Sequence, residues 1–281
     1  NSSRIVFSLH TPFPTWDVFR LNPWSRDLLA GLLGAHLLVF LNTSYAGNFL
    51  ECVWRVLGAK IDRQDMIVEY DGRNTCVRVM PLGFDYEWFE ENSSKITAND
   101  NIGEKIILGI DRLDYTKGLV ERIHGYERLL EKYPEVRSKT VLFQVVSPPH
   151  SETDATRSLK SRLDREIARI CGRFSTPNWT PIRYIHKYLS QKELMDLYAR
   201  ASVGLVAPIR DGASQIAKEF IACCSASSAV LVMSMFSSGA ESSINDSAVL
   251  LVNPLERDMF ADVLKSSLDI DSGERVSRMV S

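Results

Sequence analysis

The chain has 281 residues, 45% of them apolar and 24% charged, the composition of an ordinary folded protein with room for about two domains at roughly 150 residues each. Its net charge of −2 argues against a dedicated nucleic-acid binder, which carries a basic domain, and 15 Gly with 11 Pro are too few for a collagen-like or disordered chain. The longest apolar run, residues 28–41, contains His36 and is too short to span a bilayer, so no membrane association is expected.

Asn1-Ser2-Ser3-Arg4 leads straight into apolar residues. No targeting segment is read there, and the chain is expected to be cut from something longer. The five cysteines, Cys52, Cys76, Cys171, Cys223 and Cys224, are widely spaced without a Cys-x-x-Cys pair. Reduced thiols and a cytoplasmic location fit that pattern best. Asn-x-Ser/Thr sequons at Asn1, Asn42, Asn92, Asn178 and Asn245 point the other way, but a Ser-rich chain produces them by chance.

In chain order, strands are predicted at residues 5–9 and 37–41, with helices at 25–33 and 44–57. Residues 66–70 and 76–82 flank Asp71-Gly72, a tight-turn dipeptide that predicts a hairpin. Polar residues 90–103 are the best linker candidate. Strands then follow at 105–110, 140–146, 182–186, 203–208, 230–234 and 248–252. Helices alternate with them at 118–133, 152–173, 190–200, 214–224 and 258–268. Leu159, Leu163, Ile167 and Ile170 share one helical face, and Ser190 with Glu193 forms a capping box. Strand–helix alternation with short connections predicts parallel sheets covered on both faces. The expected architecture is α/β, with two Rossmann-like domains facing a cleft, the first of them truncated. The boundary is placed at 1–100 and 101–281.

No phosphate-binding GxxxxGK[ST] loop, GxGxxG, HExxH, GxSxG or metal-like Cys/His cluster occurs. Attention therefore falls on loops at the carboxyl ends of strands, where doubly wound sheets bind ligands. His10, in His10-Thr11-Pro12-Phe13-Pro14, is either a hydrogen-bonding group in a cleft or a cap in a rigid loop. In the segment from Asp111 to Gly118, Arg112 and Lys117 converge beside a helix start, a diphosphate site. Alternatively, they pair on the surface with Asp111 and Asp114. In the segment from Arg210 to Glu219, Gly212 permits close approach and the amides of Ala213, Ser214, Gln215 and Ile216 point out of a helix start. Asp211 and Glu219 are then acceptors for sugar and ribose hydroxyls, or a helix cap and a solvated face residue. Together the two loops suggest a sugar nucleotide.

These residues resemble the trehalose-6-phosphate synthase family, retaining glycosyltransferases of family 20 with the GT-B fold. The likeness runs through His10-Thr11-Pro12-Phe13-Pro14, Tyr70-Asp71-Gly72-Arg73, Pro81-Leu82-Gly83, the segment from Arg112 to Leu119, Trp179-Thr180-Pro181, Arg210-Asp211-Gly212, Ala217-Lys218-Glu219-Phe220 and Val252-Asn253-Pro254. It implies glucose transfer from UDP-glucose to glucose 6-phosphate, with no cofactor and no metal. Carried over, Arg112 and Lys117 hold the diphosphate, Glu219 the ribose, Asp211 and His10 the donor sugar, and amides from Gly212 to Ile216 support sugar and phosphate. The chain departs from the family in several places, among them Phe236-Ser237-Ser238-Gly239-Ala240 for the usual Phe-Ala-Gly-Ala and Leu41 for the usual His or Gln after Phe40. The family's early Gly-rich loop and His-Asp-Tyr motif are missing. Ala213-Ser214-Gln215-Ile216 replaces the usual Met-Asn-Leu-Val. Pro148-Pro149-His150 stands where an Arg holds the acceptor phosphate, leaving His150 a weak clamp. A regulatory, non-catalytic member and a transferase with another acceptor are the competing readings. A homo-oligomer or a trehalose-phosphatase partner is the expected association.

Overall fold

The computed structural model describes residues 3–93, 103–149, 151–224, 229–237 and 249–270. Contacts divide the chain into two units, Asn1–Gly83 and Phe84–Ser281.

The first unit runs β1 (Val6–Leu9), α1 (Trp16–Phe19), α2 (Ser25–Leu32), β2 (Leu37–Phe40), α3 (Thr43–Leu57), β3 (Lys60–Asp62), β4 (Ile67–Tyr70) and β5 (Arg73–Val79). Its five-stranded sheet has the order β1-β2-β5-β4-β3. The first three strands are parallel, while β4 and β3 are antiparallel additions. The predicted hairpin forms, with Tyr70 opposite Arg73. Asp71 and Gly72 both take positive φ, 50° and 71°, as a two-residue turn matched to strand twist requires. The Asn42 side chain caps α3 by accepting from the Tyr45 N–H at 2.8 Å. Phe13, Phe40 and Phe49 meet edge-on or tilted at the centre of this unit's core. The unit is therefore a mixed sheet, parallel in β1, β2 and β5, to which the expected hairpin adds antiparallel pairing. Lys60–Asp62 is too short and polar to read as a strand.

The expected boundary near residue 100 does not coincide with the division at Gly83. Helix α4 (Tyr86–Ser93) overlaps the polar stretch read as linker. Phe84 and Phe89 stack at 4.8 Å, and both pack into the second unit's core with Met195, Tyr198 and Phe220.

The second unit continues with β6 (Lys105–Arg112), α5 (Leu119–Lys132), β7 (Thr140–Ser147), α6 (Asp154–Phe174), β8 (Ile182–Ile185), α7 (Gln191–Arg200), β9 (Val203–Val206), α8 (Gln215–Cys224), β10 (Val230–Ser234), β11 (Val249–Val252) and α9 (Arg257–Asp269). Its six strands are all parallel, in the order β8-β7-β6-β9-β10-β11. Numbered from β6, this is the doubly wound order 3-2-1-4-5-6. Alternate residues of β6 enter different cores. Ile107 packs with α5, α6 and α9 through Ile123, Leu163 and Phe260. Ile106 and Leu108 pack with α7 and α8 through Met195 and Phe220. Burial on both faces explains the near-continuous apolar run. All five cysteines are free, and no helix among the described residues is long and apolar enough to cross a membrane.

Packing against β9 is tight. A Cβ on Gly204 would lie 2.7 Å from the Phe220 ring, and Phe220 is 1% exposed. Gly204→Ala is expected to destabilise the second unit by about 1–3 kcal/mol through overpacking. Urea unfolding measures this, and an unchanged midpoint would contradict the close contact.

Candidate active site

In the second sheet, β6 and β9 are neighbours whose following connections run to opposite sides, β6 to β7 and β9 to β10. Such a switch point opens a crevice at the carboxyl ends of the two strands. The chain leaving β6 makes a tight 3-10 turn at Tyr115–Lys117. Asp114 caps it, accepting from the Thr116 N–H at 2.9 Å and the Thr116 hydroxyl at 2.8 Å. Gly118 then takes φ 62° to enter α5. A Cβ at Gly118 would approach the Ala207 carbonyl oxygen to 2.9 Å, so this loop lies directly on the chain leaving β9. The Thr116 carbonyl accepts from the Ile209 and Arg210 N–H groups at 2.8 and 3.0 Å. The two loops are one bonded unit.

That union sets the charges. Lys117 Nζ reaches Asp211 Oδ1 at 2.8 Å, a largely buried pair across the two loops. The Ser214 hydroxyl donates to Asp211 Oδ2 at 3.1 Å. Arg112 pairs with Asp114 at 3.1 Å, which is the surface pairing that the sequence left open. Asp114 is half-buried, which raises its pKa, but the bonds from Thr116 and Arg112 outweigh that and hold it below the usual carboxylate range. Asp111 lies at the base of the same crevice. It meets Arg122 Nη2 at 2.5 Å, and that guanidinium, fully buried, also donates to Gln144 Oε1 at 3.1 Å. Burial pushes the Asp111 carboxyl up while Arg122 pulls it down. Strand β6 runs through Arg112, two residues beyond the predicted end, so Asp111 and Arg112 project from a sheet and not from a loop.

A cavity of about 350 Å³ opens at this edge. Arg112, Lys117, Asp211, Ala213, Ser214, Gln215 and Ile216 line it, so most of the sequence-predicted residues come together. Gly212 is buried between two of them but is not in the wall. Glu219 lies one turn of α8 past Gln215 and Ile216, half-buried, and accepts from the Tyr198 hydroxyl at 2.8 Å. Burial raises its pKa and the Tyr198 bond opposes that. His10 is an exposed residue of the first unit, outside this wall. His150 falls outside the described residues. Lys187, Tyr188 and Leu189, from the chain after β8, and Leu194 of α7 add to the wall. The same rule that selected the other loops, position after a parallel strand, could have found them.

Three cations, Arg112, Lys117 and Lys187, and the opening turn of α8 face one cavity, which suits a multiply charged anion. Asp211 beside them supplies a hydroxyl acceptor. The chemistry is that of a phosphorylated sugar or sugar nucleotide. Among the described residues, no group of three or more His, Cys, Asp or Glu could hold a metal ion.

Cutting the pair leaves a buried carboxylate without its cation. Lys117→Met is expected to cost about 1–3 kcal/mol of stability, with much of the loss recovered in the Lys117→Met/Asp211→Asn double variant. Strict additivity in a double-mutant cycle of urea midpoints would show that the two side chains are uncoupled.

Comparison with known proteins agrees with this chemistry. The model of glycosyltransferase family 20 matches residues 1–281. The 56 kDa subunit of α,α-trehalose-phosphate synthase (UDP-forming) from Saccharomyces cerevisiae is 35% identical over 95% of this chain and 54% of its own length. A bifunctional trehalose-6-phosphate synthase/phosphatase from Thermoproteus tenax is 34% identical over 98% of this chain and 38% of its own. Among solved structures, an α,α-trehalose-phosphate synthase (UDP-forming) from Burkholderia xenovorans in complex with glucose-6-phosphate superposes with a TM-score of 0.93, at 32% identity over 99% of this chain and 63% of that one. A structure from E. coli bound with UDP-2-fluoro glucose gives a TM-score of 0.92, again at 32% identity, 99% of this chain and 63% of that one. The chain thus spans about half of the Saccharomyces cerevisiae relative's length and under two thirds of these structures.

Proposed function

Because the chain belongs to glycosyltransferase family 20, we propose that it takes part in a retaining transfer of glucose from UDP-glucose to glucose 6-phosphate, forming trehalose 6-phosphate and UDP. The carrying observation is the single cavity that unites Arg112, Lys117, Asp211 and the start of α8. In this reading the diphosphate draws Lys117 from Asp211 and Arg112 from Asp114. Their charge, with the helix start, stabilises the UDP oxygen as the bond to the sugar breaks. Asp211, released from its cation, accepts the donor sugar's hydroxyls. The acceptor hydroxyl attacks from the face the leaving group occupies, and the departing phosphate oxygen takes its proton. The reading calls on no metal ion. Glu219 receives the ribose hydroxyls at the far end. The bifunctional relative from Thermoproteus tenax supports a phosphatase as partner in the same sequence of reactions.

A second reading is binding without turnover. What favours it is the double engagement of Asp211, by Lys117 and by Ser214. A carboxylate held at both oxygens accepts sugar hydroxyls less readily. Release of UDP on adding UDP-glucose and glucose 6-phosphate together supports transfer. Saturable UDP binding with no disaccharide phosphate formed supports the second reading.

Calorimetric titration with UDP tests the shared core of both. Arg112→Ala is expected to weaken UDP binding by about 1.5–3 kcal/mol, the worth of a hydrogen bond to a charged group. Unchanged affinity would remove Arg112 from the site. Asp211→Asn is expected to leave UDP affinity nearly intact and to lower the preference for UDP-glucose over UDP. Equal losses on both ligands would contradict a role confined to the sugar.

A further inference from the structure

We propose that Tyr198 is a positioning residue for Glu219, its buried hydroxyl fixing the carboxylate one turn of α8 beyond the cavity lining, where it receives the vicinal ribose hydroxyls of a nucleotide that extends past that lining. This rests on the reading above, which assigns Glu219 to the ribose.

The geometry comes from two helices read along their faces. Leu194 of α7 lines the cavity, and Tyr198 follows it by four residues, on the same face. Gln215 and Ile216 of α8 line the cavity, and Glu219 follows them by four and three. The Tyr198–Glu219 bond therefore lies one turn behind the wall that Leu194 and Ile216 form. Tyr198 is 1% exposed, and its ring stands edge-on to Phe220 with centroids 6.0 Å apart. A ring clamped in that way has little freedom, so its hydroxyl is a fixed point. Glu219, by contrast, is half-buried on a flexible stem. A phenol donating to a carboxylate is a charge-assisted bond, among the stronger kinds. It occupies one of about four lone-pair sites on the two oxygens, leaving acceptors for a pair of neighbouring hydroxyls. Burial works against the charged form of Glu219, and the same bond works for it.

The test is a titration of the wild-type chain, Tyr198→Phe, Glu219→Ala and the double variant with two probes, UDP and 2′,3′-dideoxy-UDP. The wild type is expected to prefer UDP. Tyr198→Phe is expected to lose about three- to tenfold on UDP, little on the dideoxy compound, and nothing further when Glu219 is already Ala. Equal losses on both probes, or an equal loss in the Glu219→Ala background, would mean that Tyr198 serves only the core, and the proposal fails. A wild type that binds UDP without preferring the diol, or binds no UDP, removes the ribose assignment itself and the proposal with it. A second measurement keeps the hydroxyl and the packing. With 3-fluorotyrosine at position 198, the fluorine resonance is expected to move on adding UDP and to stay put with the dideoxy compound. The same shift with both probes overturns the proposal.

Discussion

The site depends on a backbone joint, the Thr116 carbonyl receiving the N–H groups of Ile209 and Arg210. It works because Gly118 has no Cβ to hold the two chains apart and can adopt the left-handed conformation that turns the loop into α5. Without this joint, the cation at 117 and the acid at 211 would belong to separate loops, each free to move against the other. With it, residues 94 positions apart in sequence sit in one rigid patch at the switch point of the sheet. The adjacency of β6 and β9 makes the joint possible, and the doubly wound strand order makes that adjacency necessary.

Around the joint, three cation–acid pairs sit at different depths. Arg122 and Asp111 face inward beneath β6, Lys117 and Asp211 span the loops, and Arg112 and Asp114 close the outer rim. These pairs differ in exposure and hence in task. The innermost is sealed, and removing one partner would strand a charge in the core. It anchors the strand end from which Arg112 projects. The outer two are more open, and on the proposed function an incoming anion would replace the carboxylate as partner to the cation. Water screens the rim pair most, so it exchanges at least cost. The graded burial separates what must stay fixed from what must move.

The second sheet was legible because its strands are sealed on both sides. Runs such as Ile106 to Ile110 and Val230 to Met233 leave few alternatives. The hairpin was legible because Asp71-Gly72 is a local signal that needs no tertiary context. Helix α4 and strand β3 were not, since each is short and mostly polar; α4 is held by core contacts with distant residues, and β3 by its pairing with β4. At the site, the loops after β6 and β9 stood out by their charged motifs. The wall after β8 did not, because Tyr188 and Leu189 carry no charge pattern. The pairing of Lys117 with Asp211, and not with its sequence neighbours, depends on the fold: spacing along the chain favoured Asp111 and Asp114. Tyr198 was hidden for a similar reason. Its position on α7 reads as core, and its hydroxyl acquires meaning when α8 brings Glu219 to it.

On the proposed function, the Lys117–Asp211 pair would couple two adjoining parts of one donor, its phosphate and its sugar. A diphosphate alone gains the ammonium but leaves Asp211 largely buried with a weaker partner, Ser214. A free sugar alone must compete with the ammonium for the carboxylate. A molecule carrying both halves resolves both deficits at once, since its phosphate takes the cation and its hydroxyls take the acid. Binding of the whole donor is then more favourable than its parts suggest, a coupling free energy between adjoining subsites. The Ser214 bond tunes this by how firmly it holds the second oxygen. On that reading, Ser214 in place of the family's usual Asn would act on sugar recognition through Asp211, while the backbone amides that open α8 would serve the phosphate whichever side chains they carry.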